Sequence, residues 1–266
     1  VKKTILVALA GLITVVAFGQ EKKTRNQQKE ERKQRINQLI KQEEEGALIF
    51  SKQGAFGIKL NTDGYGIFYE HGKYKTITRT DLWWLELGEH HSNKQEKRTN
   101  SLGGYYIGNP YIFGKINNFY HFKAGIGQQK LIGGKGNKNG VAVSAIYGGG
   151  LSAGLLKPYY LSVYYTNTGE SKDIRYADDP TTFLDPNAID GSSGLFKGFG
   201  KVKFVPGVHA RAALRFDYGR FNELLSAIEI GVNAEYYTQN MPIMVYDTNK
   251  KFFFNGYVAL VFGKRK

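Results

Sequence analysis

The chain has 266 residues, a formal net charge of +14 and no cysteine, which excludes a disulfide scaffold, a cysteine nucleophile and an acylated-cysteine lipid anchor. Aromatic residues make up 14% of the sequence and glycines number 33. Beyond residue 19 no apolar run approaches the roughly 20 residues that a membrane helix requires.

Lys2 and Lys3 precede an apolar run from Ile5 to Phe18, with small residues at Ala17 and Gly19. The pattern predicts a secretory signal peptide over 1–19, cleaved before Gln20 and too short to span a bilayer comfortably. Removing Lys2 and Lys3 lowers the charge from +14 to +12, which still favours anionic surfaces such as lipopolysaccharide and phospholipid. Export leaves nucleic acid out as a partner. Residues 21–45 then carry eight Lys or Arg and six Glu, with Ile36, Leu39 and Ile40 as a small helical stripe. Three apolar residues bury too little to dock such a helix firmly. The segment 20–46 therefore reads as a short charged helical extension in the periplasm, with a partner-binding helix as the alternative.

After Gly46 the hydrophobic period changes to two. Phe56, Ile58 and Leu60 alternate with Gly57 and Lys59, Thr62-Asp63-Gly64 supplies a turn, and Tyr65, Ile67 and Tyr69 continue on the return. Further strands are predicted at 81–90, 105–113, 118–128, 141–155, 159–165, 207–217, 225–237 and 252–262. They are long for a soluble sandwich and suit tilted membrane strands of about nine to eleven residues. Val208, Ala210, Ala212, Leu214 and Phe216 share one face, opposite His209, Arg211 and Arg215. Ile228, Ile230, Val232, Ala234 and Tyr236 oppose Glu229, Asn233 and Glu235, whose carboxylates are placed to pair with the neighbouring arginines. Phe252, Phe254, Val258, Leu260 and Phe262 alternate close to the end of the sequence.

The fold expected over 47–266 is all-β: an antiparallel up-and-down transmembrane β-barrel of ten strands, with eight as the alternative because Pro110 interrupts 105–113. With ten strands and both termini in the periplasm, the outer connections are 61–64, 92–104, 130–140, 166–205 and 238–251. The inner ones are 72–80, 114–117, 156–158 and 218–223.

Thr62-Asp63-Gly64-Tyr65-Gly66, Gly136-Asn137-Lys138-Asn139-Gly140, Gly154-Leu155-Leu156-Lys157-Pro158-Tyr159-Tyr160, Phe183-Leu184-Asp185-Pro186 and Phe262-Gly263-Lys264-Arg265-Lys266 together resemble a family of outer-membrane β-barrel proteins from Bacteroidota. The resemblance covers nearly the whole mature chain. It implies an outer-membrane location and a barrel, and brings no catalytic residues with it.

His121, Lys123, His209, Arg211, Arg215, Glu229, Asn233 and Glu235 are predicted to line the lumen, as a salt-bridged plug or as a narrow anion path. Trp83, Trp84, Tyr159, Tyr160, Tyr164 and Tyr165 are predicted to anchor strand ends at the membrane interfaces. His90 and Ser92, with Glu89, have the residue types of a lipid A hydrolase but open an ordinary polar loop. The glycine-rich run 133–140 lacks the Ser or Thr of a P-loop and reads as a flexible surface hairpin, with Lys130, Lys135 and Lys138 as candidates to touch lipopolysaccharide phosphates. Asp178, Asp179, Asp185, Asn187 and Asp190 do not follow calcium-loop spacing. No cofactor, metal or catalytic residue is expected. The expected contacts are outer-membrane lipid and lipopolysaccharide, with membrane proteins as further candidates, and the expected role is structural or accessory. A small-solute channel is the alternative.

Overall fold

The computed structural model describes residues 26–27, 29–31, 33–34 and 50–266, the last range without 103–104, 136–139 and 220–222. It divides into the units Val1–Ile49 and Phe50–Lys266. The predicted signal peptide lies outside the described residues, and so does most of the charged extension. The described positions between 26 and 34 are helical.

In the second unit the strands are β1 (Lys52–Asn61), β2 (Gly64–Tyr74), β3 (Arg79–His90), β4 (Lys97–Leu102), β5 (Tyr105–Ile112), β6 (Asn117–Gly133) and β7 (Ala142–Pro158). They continue with β8 (Tyr160–Tyr165), β9 (Glu170–Arg175), β10 (Ile189–Ser192), β11 (Lys203–Asp217), β12 (Leu224–Met241) and β13 (Lys250–Arg265). Eight of them close an antiparallel barrel in the order β1-β13-β12-β11-β7-β6-β3-β2. Closure comes from β1 on β13, with Phe56 opposite Phe262 and Leu60 opposite Val258. Full closure leaves no unpaired strand edge in the barrel.

The predicted count of ten is corrected to eight. Segments 105–113 and 159–165 are strands, β5 and β8, yet they pair away from the wall. β5 forms a two-stranded sheet with β4, and β8 sits between β10 and β9 in a three-stranded sheet. The wall skips both, because β3 pairs with β6 and β7 with β11.

This correction reassigns the connections. One barrel end, the terminus end, gathers residues 52 and 265, the turn 75–78, the loop 134–141 and the turn 218–223. The opposite, loop end carries 62–63, 91–116, 159–202 and 242–249. The glycine-rich connection 130–140, predicted among the outer loops, therefore belongs with the termini, whereas 114–117 and 156–158 belong to the loop end.

The loop-end segments fold into a structure of their own. Leu161, Val163, Ile174, Phe183 and Ile189 make a small core with Tyr111 of β5. A one-turn helix, α1 (Pro180–Phe183), is capped by Asp179, whose side chain accepts from the Thr182 amide at 3.1 Å. Gly108, at φ 80°, passes so close to β10 that a Cβ there would lie 2.1 Å from the Asp190 carbonyl oxygen. Phe119, Leu156, Val205, Tyr237, Met241, Ile243 and Met244 form an apolar layer across the lumen at this end.

Candidate functional site

The barrel is polar inside and apolar outside, a direct result of period-two alternation on every wall strand. Along β1, Lys59 is fully buried while Ile58 and Leu60 are 50% and 64% exposed. Along β12, Glu229 is fully buried between Ile228 and Ile230, which point outward.

The inward residues form two connected charge clusters. Nearer the terminus end, the Arg215 guanidinium donates to Glu229 at 2.9 Å and to Glu70 at 2.7 Å, with Arg211 3.4 Å from Glu70. The Tyr257 hydroxyl also donates to Glu229. Nearer the loop end, the Lys59 ammonium meets Glu86 at 2.7 Å, and Lys123 bridges Glu86 at 3.0 Å and Glu235 at 2.6 Å. His90 sits between Asp63, at 2.9 Å, and Glu235, at 3.2 Å, while the Tyr237 hydroxyl donates to Glu235 at 2.8 Å. Glu70, Glu86, Glu229 and Glu235 thus balance Lys59, Lys123, Arg211 and Arg215, four charges against four. Burying so many ions is tolerable only when each is paired and hydrogen-bonded.

The structure places all eight predicted lumen residues inside the barrel: His121, Lys123, His209, Arg211, Arg215, Glu229, Asn233 and Glu235. His121 lies 3.4 Å from Glu86, His209 bonds Ser152 at 3.0 Å, and the Asn233 amide reaches Asn61 at 3.5 Å. Lys59, Glu70, Glu86 and Tyr257, not singled out from sequence, complete the network. Their signal was present: each is out of phase with the apolar alternation of its own strand. Together with the apolar layer at the loop end, these side chains pack inside the barrel, as the interior of a narrow barrel requires.

The interface aromatics divide. Trp83 points outward and is 43% exposed. Trp84, predicted beside it as a second anchor, points inward and is 1% exposed, with the Arg211 guanidinium 3.9 Å from its ring. Adjacent strand residues face opposite sides, so the pair cannot anchor together. The indole lies against glycines; a Cβ on Gly125 would sit 2.3 Å from it, and one on Gly148 2.8 Å. Tyr160, Tyr164 and Tyr165 lie on β8 of the loop-end sheet, with Tyr159 just before it, and not on a wall strand. The Tyr159 hydroxyl accepts from the Ile112 amide at 3.1 Å, and that of Tyr165 donates to Asp179 at 3.0 Å.

His90 and Ser92 do not form a nucleophile pair. The imidazole faces the lumen acids, whereas the Ser92 hydroxyl donates to Asp247 at 2.6 Å, which holds that carboxyl below its usual range. The acidic loop is equally accounted for: Asp178 binds Arg175 at 2.9 Å, Asp179 caps α1, Asp185 accepts from the Asn187 amide and Asp190 from Ser171. Lys135 reaches the Gly219 carbonyl at 2.6 Å at the terminus end, and Lys130 starts from that end as well. Lys138 is outside the described residues. No group of three or more His, Asp or Glu suited to a metal occurs among the described residues.

No family model matches the chain, and no curated protein is similar to it in sequence. Among solved structures, Neisserial surface protein A aligns over 81% of this chain and 96% of its own, at 8% identity and a TM-score of 0.36. The N-terminal beta-barrel domain of Pseudomonas aeruginosa OprF aligns over 80% and 98%, at 9% identity and a TM-score of 0.35. Ail, the attachment invasion locus protein of Yersinia pestis, solved in complex with the heparin analogue sucrose octasulfate, aligns over 81% and 97%, at 11% identity and a TM-score of 0.34.

Proposed function

We propose that this chain is an integral outer-membrane β-barrel with a structural or accessory role in the envelope, its termini periplasmic and its loop end outside. The observation that carries the reading is inverted polarity. Ile126, Leu151 and Phe254 are 74%, 71% and 62% exposed on the outer wall, while Glu70, Glu229 and Lys59 are fully buried inside. A water-soluble barrel would expose the opposite set, and apolar patches beyond about 400 Å² on a soluble surface are aggregation liabilities. Lipid is the solvent that suits this wall. The connections support this orientation, since outer-membrane barrels keep short turns in the periplasm and long loops outside. Here 91–116 and 159–202 both lie at the loop end.

The buried, mutually paired lumen charges favour a non-conducting barrel over the small-solute channel, and the Ser92 hydroxyl bonded to Asp247 disfavours the lipid A hydrolase. The test is refolding into lipid vesicles. A folded species that migrates differently on a gel before and after boiling, without single-channel steps in a planar bilayer, is the expected result. Discrete conductance would replace this reading with the channel.

A further inference from the structure

A cavity of about 650 Å³ lies outside the lumen, on the outer wall at the loop end. Its floor is built from outward-pointing residues of three consecutive wall strands: Glu89 on β3, Tyr120 on β6 and Lys157 on β7. Glu89 is registered on Tyr120, and Tyr120 on Leu155, so the floor is continuous. The loop-end segments fold over it and contribute Lys97, Lys115 and Lys197.

Four lysines therefore converge on one recess. Lys197 is neutralised by an ion pair with Asp173. No carboxylate forms an ion pair with Lys97, Lys115 or Lys157 among the described residues. Lys115 and Lys157 are each only 3% exposed. Lys115 donates to the Gln95 side chain at 3.2 Å and lies 5.7 Å from the Tyr159 ring; Lys157 donates to the Leu195 carbonyl and lies 4.3 Å from the Phe199 ring. The carboxylate in the lining, Glu89, is held by the Tyr65 hydroxyl at 3.0 Å and by His91 at 3.4 Å. Burial pushes the Lys115 ammonium down to about 8, opposed by Glu89 and reinforced by Lys157 and Lys97. Buried cations with no ion pair, offset only by the more distant Glu89, are costly, and an anion entering the recess lowers that cost.

The same three strands identify the anion's body. Toward the barrel middle, the outward face continues as Leu87, Phe122, Ile126 and Leu151, which are 53%, 38%, 74% and 71% exposed. The floor of the cationic recess is thus continuous, on the same face, with a hydrocarbon-compatible wall. We propose that it binds the phosphorylated headgroup of an outer-leaflet lipid, whose acyl chains lie along β3, β6 and β7. A soluble phosphate compound would need the lysines but not the apolar track beneath them. The inference rests on the outer-membrane orientation proposed above, which puts the loop end at the outer leaflet.

The test uses the full chain in mild detergent, analysed by native mass spectrometry after incubation with lipid A bearing both phosphates. One lipid per barrel is expected to survive delipidation, whereas the enzymatically dephosphorylated lipid with the same chains is not. Lys115→Gln/Lys157→Gln should lower the retained fraction at least about tenfold, given two lost charge-assisted contacts. Lys115→Arg/Lys157→Arg should restore it, and Lys130→Gln, at the terminus end, should leave it unchanged. Equal retention of both lipids by the wild-type protein overturns the proposal without any variant. Unchanged retention in the glutamine pair, or displacement of the lipid by millimolar inorganic phosphate alone, overturns it as well. Absence of a heat-modifiable wild-type species would instead sink the membrane-barrel reading, so the two failures are distinguishable.

Discussion

Arg215→Met tests the idea that the lumen is held by balanced, desolvated charge. Arg215 is 1% exposed and holds two carboxylates at once, Glu229 at 2.9 Å and Glu70 at 2.7 Å. Without it, Glu70 keeps Arg211 at 3.4 Å, while Glu229 retains the Tyr257 hydroxyl and the longer-range attraction of Arg211 but no ion pair. Removing one partner of a buried ion pair costs about 3–5 kcal/mol. Arg215→Met/Glu229→Gln restores the balance at three acids and three bases, so the double variant should lose less than the single one, by about 2 kcal/mol. Urea unfolding in lipid vesicles provides the assay, read by the fluorescence of the two tryptophans. A single-variant loss under about 1 kcal/mol would mean a solvated pair, as at a protein surface, and would refute the dry plug. A double variant no more stable than the single would refute charge balance as its cause.

Brominated acyl chains should quench Trp83, which points outward, and spare Trp84, which lies in the lumen; Trp83→Phe should therefore abolish the quenching and Trp84→Phe preserve it. Gly125→Val would bring a side chain within 2.3 Å of the Trp84 indole and should destabilise the barrel by about 1–3 kcal/mol in the same urea assay, unlike Gly133→Ala, where nothing lies within 4 Å. Lipid retention should weaken between pH 7 and pH 9, because Lys115 gives up its proton near 8 among Glu89, Lys97, Lys157 and Tyr159; Lys115→Arg should flatten the profile. The stability contribution of Lys115 has the opposite sign. The unfolded chain keeps that proton up to about 10.5, so between 8 and 10.5 this group favours folding as pH rises. Ser92→Ala should remove the bond to Asp247 at a cost of about 0.5–1.5 kcal/mol and leave the lipid A of expressing cells unchanged by mass spectrometry.

The lumen was legible because alternation is local. His209, Arg211 and Arg215 declare their face by their phase against Val208 and Leu214, and Glu229 does so against Ile228 and Ile230. The pairing of Arg215 with Glu229 also follows from two strands adjacent in sequence. Glu70 was not legible as a partner of Arg215. Its side chain comes from β2, and the contact spans 145 positions across the lumen. Residue type alone marks both Trp83 and Trp84 as anchors, whereas their opposite phase on β3 sends Trp84 into the lumen.

The strand count shows where local pattern stops. Segments 105–113 and 159–165 alternate like wall strands, yet β8 has six residues whereas β12 has 18. At roughly 3.3 Å per residue, six residues extend about 20 Å, and tilted they fall short of an apolar band about 25 Å tall. Length was thus a usable signal against β8. For β5, with eight residues and Pro110, the choice between wall and loop sheet depended on which neighbour its edge could meet.

The sequence alone determined that residues beyond Gly46 form two-faced strands with apolar side chains on one face and charges on the other, because side-chain direction in an extended chain is fixed every second residue. Tertiary structure decided which strands close the wall, which end carries the glycine-rich loop, and that Lys97, Lys115, Lys157 and Lys197 share one recess. Those facts depend on pairings such as β3 with β6 and β7 with β11, where the intervening chain folds away and leaves no periodic trace of the contact it permits.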